Sequence, residues 1–267
     1  MGTDSHEGFP ADGEGPLRPV QVSPFRIAAT AVTNAQFTEF VRSTSYITQA
    51  EQAGSSFVFY LQVRQAQRDA IRQHPQGLPW WLEVPDACWQ RPEGPGSCLR
   101  ERMDQPVVHA SWDDAQAYCT WAGVRLPTEA QWEYAARGGL HGQRYTWGDT
   151  MPTEPPCNIW RGVFPNEPAP GWSPGVVGVG SFAPNAYGLY NMAGNVWEWC
   201  ADWFTPDYHR TSAGIDPMHG EPTGRRSARG GSFLCHESYC NRYRVAARGA
   251  NTPESSAGNH GFRVVAL

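Results

Sequence analysis

The chain has 267 residues with a net charge of −5, and no run of arginine or lysine exceeds two residues. This pattern lacks the basic patch of a nucleic-acid-binding protein, and no stretch approaches the roughly 20 apolar residues of a membrane-spanning helix. We therefore expect neither a nucleic acid nor a membrane as a partner. The length is within the range of one large domain, so we predict a single, monomeric domain over 1–267, in which 28 glycines and 23 prolines favour loops.

Three short helices are predicted from cap residues that precede apolar residues at helical spacing. Each has a serine or threonine as its cap, namely Thr33, Ser111 and Thr128, and in the second and third an acidic or amide residue three positions later completes a capping box. Glycine ends the second and third, as is common at helix C-termini. The predicted helices run from Asn34 to Arg42, from Ser111 to Gly123 and from Thr128 to Gly138.

The remaining chain favours short strands joined by turns. Few helices, many short strands and no alternation of strands with helices predict an α+β fold. Residues 54–106 show no sustained period and contain the run Pro79-Trp80-Trp81, and an excursion of this length inside a compact domain is usually functional. The strand candidates are 20–22, 25–27, 227–233, 243–248 and 261–267.

The seven cysteines are the most informative residues of the chain. An odd number argues against a complete disulfide framework and favours a reducing compartment. Cys235 and Cys240 are separated by four residues in a glycine- and aromatic-rich run. Such a pair either closes a disulfide or converges on one soft metal ion, and the spacing leaves both alternatives open. A disulfide between Cys88 and Cys98 is also open.

Three runs of the sequence resemble the formylglycine-generating enzymes, also called sulfatase-modifying factors. They are RLPTEAQWEYAARGG from Arg125, GLYNMAGNVWEW from Gly188, and the segment from Arg229 to Arg263. The first two mark the broad superfamily, which includes members with other activities or none, whereas the run GGSFLCHESYC marks the catalytic, prokaryotic-type branch. The resemblance covers nearly the whole chain. It implies a C-type-lectin-like α+β fold with few short helices and short antiparallel strands.

The resemblance also implies a copper(I) site. Cys235 and Cys240 would bind the metal, and the cysteine of the substrate would join as a third sulfur ligand. Soft thiolates suit copper(I), which supports this reading of the pair. The site residues carried over from the family are Ser232, Cys235, Tyr239, Cys240, Trp197 and Asn259.

Two calcium sites follow from the same resemblance. The first would use side-chain or main-chain oxygens of Asn191, Gly194, Val196 and Glu198, the hard ligands that Ca²⁺ prefers. The second would use Asn158, Ile159 and Trp172. The aspartate that completes this second site in the family aligns near Pro170, so a formal negative charge is missing there and its affinity should be lower.

The leading hypothesis is a copper(I)- and O₂-dependent oxidase that uses a thiol reductant. It would convert a cysteine in an extended sulfatase segment of the type Cys-x-Pro-x-Arg into Cα-formylglycine, in the cytoplasm of a bacterium. One alternative keeps the copper chemistry and acts on another peptide or a small thiol. Another is a lectin-like scaffold that binds without catalysis.

Overall fold

The computed structural model of the protein describes residues 1–71 and 74–267. Within these residues, no helix combines the length and apolar character needed to cross a bilayer. The α-helices are α1 (Asn34–Thr44), α2 (Gln49–Ala53), α3 (Gln65–Arg68), α4 (Trp112–Ala122), α5 (Glu129–Arg137) and α6 (Tyr208–Thr211). The strands are β1 (Ser55–Phe59), β2 (Trp81–Pro85), β3 (Val124–Arg125), β4 (Gly162–Val163), β5 (Glu167–Pro168), β6 (Trp197–Trp203), β7 (Arg226–Arg229), β8 (Gly249–Asn251), β9 (His260–Phe262) and β10 (Val265–Ala266).

The predicted α+β class and the three predicted helices are confirmed, the helices as α1, α4 and α5. The hydroxyls of Thr33, Ser111 and Thr128 each accept a hydrogen bond from the main-chain N–H three residues on, and each capping box is complete. Gly123 and Gly138 end α4 and α5 in the left-handed conformation, which glycine adopts without steric cost. Local capping chemistry therefore sets these helix ends.

A four-stranded sheet organises the core in the order β8-β7-β6-β9. The central strand β6 pairs antiparallel with β7 and parallel with β9. Successive side chains of a strand point to opposite faces. Trp199 accordingly joins the apolar cluster of α1 and α4, whereas the neighbouring Cys200 joins the cluster of α5 around Trp132.

The strand predictions are partly confirmed. The candidate 227–233 ends as a strand at Arg229, because Gly230 and Gly231 turn the chain with positive φ angles of 94° and 71°. The candidate 243–248 is wrong, since this segment is a series of turns that buries arginine side chains against acidic partners. The candidates 20–22 and 25–27 form only isolated bridges. Conversely, β1 and β2 pair antiparallel inside the region that showed no sequence period.

A buried ion-pair network joins α5, β7 and the segment after the cysteine pair. Glu129 accepts two hydrogen bonds of 2.7 Å from Arg248, and Glu133 pairs with Arg229 and, at 2.7 Å, with Arg137. Burial alone would raise the pKa of Glu129 and of Glu133, but the neighbouring guanidinium groups outweigh it and lower both to about 2. Both carboxylates are therefore ionised at neutral pH, in the interior of the protein.

All seven cysteines are free thiols. Cys88 is buried and Cys98 is exposed, so the open question of a disulfide between them is answered in the negative. Cys119, Cys157 and Cys200 are buried, and burial raises the pKa of each thiol.

Candidate active site

The turn after β7 brings the two cysteines onto the wall of a cavity. Gly231 has a φ of 71°, and a β-carbon at this position would lie 2.7 Å from the carbonyl oxygen of Arg242 and 3.1 Å from the sulfur of Cys235. Only a residue without a side chain fits between these two groups. The glycine thus lets the two ends of the cysteine segment approach each other.

Cys235 and Cys240 form a close, buried pair. Their sulfur atoms are 2.7 Å apart, and the two residues are 2% and 3% exposed. Burial raises the pKa of Cys235 well above its ordinary value. Burial also opposes ionisation of Cys240, but the hydrogen bond with Cys235 and contacts with the main chain and charge of Arg242 lower its pKa. Cys240 therefore ionises before Cys235.

Arg242 supplies a positive charge at this cavity. Its guanidinium donates hydrogen bonds of 2.6 and 3.1 Å to the carboxylate of Asp12, in the N-terminal segment. It also lies 4.4 Å from the centre of the ring of Phe9. The N-terminal segment thereby holds the side chain that follows the cysteine pair.

Ser232, Asn259 and Trp197 are linked by hydrogen bonds. The Nδ2 of Asn259 donates to the Oγ of Ser232 at 3.0 Å, and the carbonyl of Asn259 accepts from the main-chain N–H of Trp197 at 2.9 Å. The Oγ of Ser232 also accepts from the N–H of Leu234 at 3.3 Å. Because this oxygen already accepts two hydrogen bonds, the hydroxyl proton of Ser232 remains available as a donor.

Tyr239 is held between two aromatic rings. Its ring stacks on Phe164 at a centroid distance of 4.4 Å and meets the edge of Trp80 at 5.0 Å. Burial, together with the nearby cysteines, raises the pKa of Tyr239 to about 12. The phenol is therefore protonated at neutral pH and can donate a hydrogen bond.

A cavity of about 360 Å³ brings together all six residues carried over as catalytic: Trp197, Ser232, Cys235, Tyr239, Cys240 and Asn259. Sequence reasoning missed much of the remaining wall. Trp80 and Trp81 come from the region without a period, where the Pro-Trp-Trp run was the only signal. Further wall residues that it missed are Phe57, Leu78, Arg242 and Ser256.

The first set of candidate calcium ligands lies in the turn that precedes β6 and, for Glu198, at the start of β6 itself. Asn191 and Gly194 have positive φ angles of 51° and 72°. The Oδ1 of Asn191 is buried without a hydrogen-bond partner among the described residues, while its Nδ2 donates to the carbonyl of Val179 at 2.8 Å. The carboxylate of Glu198 accepts two bonds of 2.9 Å from Arg263 and one of 2.7 Å from the indole of Trp132.

The second set is engaged in structural contacts. The Nδ2 of Asn158 donates to the carbonyl of Gly175 at 2.8 Å and to the Oδ1 of Asn195 at 3.0 Å. Ile159 is buried, and the ring of Trp172 packs against the ring of Trp160. Across residues 1–71 and 74–267, no three or more histidine, cysteine, aspartate or glutamate side chains converge as a metal site.

Comparison with known proteins identifies relatives over the full length. The family model for the sulfatase-modifying factor enzyme 1-like domain matches residues 1–266. A formylglycine-generating enzyme of Thermomonospora curvata is 54% identical over 100% of this chain and 89% of its own length. An inactive C-alpha-formylglycine-generating enzyme 2 of Bos taurus is 47% identical over 98% of this chain and 83% of its own length.

Similarity to a solved structure concerns the fold alone. The structure of PvdO from Pseudomonas aeruginosa matches with a TM-score of 0.69 and 22% identity, over 99% of this chain and 89% of that one. The chain is 54% identical to the formylglycine-generating enzyme and 47% identical to the inactive relative, so sequence identity alone does not tell whether this protein is catalytic. The side chains that line the cavity have to decide this question.

Proposed function

Because the chain belongs to the formylglycine-generating enzyme family, we propose that it is a copper(I)- and O₂-dependent oxidase of a cysteine in a polypeptide. The substrate would be an extended sulfatase segment of the Cys-x-Pro-x-Arg type, and the product Cα-formylglycine. The observation that carries the proposal is the pair Cys235 and Cys240, whose sulfurs lie 2.7 Å apart on the wall of the cavity.

The donor set fits copper(I). Two buried sulfurs are soft ligands, and soft thiolates favour this metal over hard cations. In the part of the chain that the structure describes, no third histidine, cysteine or carboxylate joins the pair. Two protein ligands therefore leave a position for the sulfur of a substrate. Cys235 and Cys240 would hold the metal, which would supply one-electron chemistry toward O₂.

The other residues on the wall bind, orient and exclude water. Ser232 offers its hydroxyl proton to the substrate sulfur, since Asn259 and Leu234 occupy the acceptor side of its oxygen. Tyr239, with a pKa raised to about 12 by burial, keeps a proton to donate. The indole of Trp197 forms an apolar wall, and Gly249 allows close packing, because a β-carbon there would lie 2.8 Å from that ring.

The overall reaction balances with a thiol reductant. The substrate –CH₂SH group, O₂ and two reductant thiols give an aldehyde, H₂S, water and one disulfide. The substrate carbon loses two electrons on oxidation to the thioaldehyde level, and the reductant supplies the other two that O₂ needs. Hydrolysis of the thioaldehyde then releases H₂S without further redox change.

The test combines metal binding with turnover. Reduced protein is titrated with copper(I) without oxygen, and a sulfatase peptide is then incubated with loaded protein, O₂ and a thiol. We expect one tight copper equivalent and the aldehyde by mass spectrometry, and loss of both in Cys235→Ser and in Cys240→Ser. Cys98→Ser is the matched control, because this thiol is exposed and free. Copper-loaded wild-type protein that forms no aldehyde would refute the proposal.

The similarity to an inactive relative favours testing a second candidate, a scaffold that binds peptides without catalysis. In that case the peptide would bind, but neither cysteine substitution would change any activity. The copper oxidase acting on another peptide or a small thiol is distinguished by substrate variants. A sulfatase-modifying enzyme should lose turnover when the proline or the arginine of the motif is replaced.

We also propose that the first calcium set is functional. The Oδ1 of Asn191 is an oxygen ligand that has no hydrogen-bond partner within residues 1–71 and 74–267, and the carboxylate of Glu198 keeps lone pairs beyond those used by Arg263 and Trp132. The main-chain carbonyls of Gly194 and Val196 would complete the set. For the second set, Asn158, Ile159 and Trp172, the missing carboxylate argues for weak binding.

A further inference from the structure

A chain of three hydrogen-bonded side chains runs from the protein interior to the catalytic cavity. His109 is fully buried, and its Nε2 lies 2.8 Å from the carbonyl oxygen of Pro92. Its Nδ1 lies 2.8 Å from the Oγ of Ser56, which lies 2.7 Å from the Oγ of Ser256. Ser256 lines the cavity.

The direction of every hydrogen bond in this chain follows from the first one. A carbonyl oxygen only accepts, so Nε2 of His109 must carry the proton that it donates to Pro92. Burial lowers the pKa of His109 to about 4, so the ring is neutral at pH 7 and Nδ1 is unprotonated. Ser56 must then donate to Nδ1. Its own proton is used, so Ser256 must donate to Ser56.

Ser256 therefore presents only lone pairs to the cavity. Its polarity is opposite to that of Ser232, whose oxygen already accepts two hydrogen bonds and whose proton is free. An imidazolium at His109 would reverse the direction of these hydrogen bonds, so that the hydroxyl of Ser256 would become a free donor toward the cavity. The neutral, buried histidine thus decides what kind of group the serine can bind.

The main chain around Ser256 is fixed from the same side. The N–H of His109 donates to the carbonyl of Ala257 at 3.0 Å, and the N–H of Gly258 donates to the carbonyl of Phe57 at 2.9 Å. A β-carbon on Gly258 would lie 3.3 Å from Nε2 of His109. These contacts fix the main chain that follows Ser256, and its hydroxyl is thereby held at the cavity wall.

We propose that Ser256 binds a main-chain N–H of the substrate peptide, and that His109 and Ser56 are positioning residues that hold its hydroxyl as an acceptor. The proposal deepens the proposed function, on which it rests for the class of ligand, an extended cysteine-containing peptide. A main-chain N–H is the donor that every extended peptide presents at regular intervals, whatever its side chains.

The test replaces one amide at a time in the peptide by an ester, which removes the N–H and leaves an oxygen in its place. Dissociation constants are measured without oxygen, on reduced protein with and without copper(I), so that no turnover occurs. For one position we expect the ester to weaken binding to wild-type protein about tenfold, the scale of one net hydrogen bond. In Ser256→Ala, the same ester and amide peptides should bind equally.

Two further variants separate the role of the chain from that of the serine alone. In Ser56→Ala the hydroxyl of Ser256 loses its acceptor and can donate to the ester oxygen instead. The ratio of the dissociation constants of the ester and amide peptides should therefore fall to less than half of its wild-type value. Ser56→Val, which also lacks the hydroxyl and suits a strand, serves if Ser56→Ala does not fold. Ser55→Ala is the matched control and should keep the wild-type ratio, because this neighbouring hydroxyl donates to the carboxylate of Glu83 at 2.8 Å and does not line the cavity.

The outcomes are distinct. If no ester position shows a penalty that Ser256→Ala removes, the assignment of Ser256 is overturned. If the penalty is the same in Ser56→Ala or Ser56→Val as in wild-type protein, the role of His109 and Ser56 is overturned. A wild-type protein that binds the peptide but forms no aldehyde with O₂ contradicts the proposed function and leaves this binding inference to be judged by the ester ratios.

Discussion

Arg248→Met removes one cation from the buried ion-pair network of α5, β7 and the segment after the cysteine pair. Arg248 is 0% exposed, and its guanidinium donates to both oxygens of Glu129 at 2.7 Å. It also donates to the carbonyls of Asp12, Gly13 and Thr205 at 2.9, 3.1 and 2.9 Å. Methionine fills a similar length without any of these donors, so the carboxylate of Glu129 and three carbonyls lose a partner.

The expected loss in unfolding free energy is about 4 kcal/mol at pH 7, as for other buried pairs broken by removal of one partner. The pKa of Glu129 in the wild type leads to a similar value, because lowering it from 4.5 to about 2 on folding corresponds to about 3 kcal/mol of unfolding free energy. In the wild type this contribution is present above pH 4.5 and is lost as the pH falls toward 2. In the variant, burial raises the pKa of Glu129, so the destabilisation is largest at neutral pH and shrinks as the pH falls toward 5.

Urea unfolding of both proteins at pH 7 and pH 5 measures this difference. Arg42→Met is the matched control, since Arg42 pairs with Glu39 on the surface and its side chain is 75% exposed. We expect less than about 0.5 kcal/mol there, as is usual for exposed ion pairs. A loss below about 1 kcal/mol in Arg248→Met, or a loss that does not depend on pH, would contradict the account of the network.

Two other substitutions test the site. Gly231→Ala should lower the free energy of unfolding by about 2 kcal/mol, because the left-handed φ and the contact of 2.7 Å with a carbonyl oxygen both oppose a side chain, and it should displace Cys235 enough to weaken copper(I) binding. Gly180→Ala is the control and should have neither effect, because a β-carbon there would meet open space. Equal losses of stability for the two variants in denaturant unfolding would disprove this reasoning. Calcium should raise the melting temperature of chelator-treated wild-type protein but not of Asn191→Ala; an unchanged shift in the variant would remove Asn191 from the site.

The resemblance of the motifs predicted the cavity wall around the cysteine pair, but it did not predict the part of the wall formed by Trp80 and Trp81. The six residues that it nominated all line one cavity. All six lie in the C-terminal half of the chain, and four of them, Ser232, Cys235, Tyr239 and Cys240, fall within one short run whose spacing is itself part of the site. Trp80 and Trp81 could not be assigned to the same wall from sequence, because they reach it across more than a hundred residues of chain.

The sequence by itself determined the features that depend on neighbours in the chain. The caps at Thr33, Ser111 and Thr128 act over three residues, so their hydrogen bonds could be foreseen wherever the helices pack. The spacing of Cys235 and Cys240 likewise allowed a disulfide or a shared metal ion, and it left the choice between them open.

Only the tertiary structure decided the features that depend on distant partners. The segment 243–248 is apolar enough to predict a strand, but buried pairing of Arg244 with Glu14 and of Arg248 with Glu129 holds it in turns. The tautomer of His109, and with it the polarity of Ser256, follows from a carbonyl 17 residues away and a hydroxyl 53 residues away. Hydrogen-bond direction is set by the whole set of partners, and the fold is what brings these partners together.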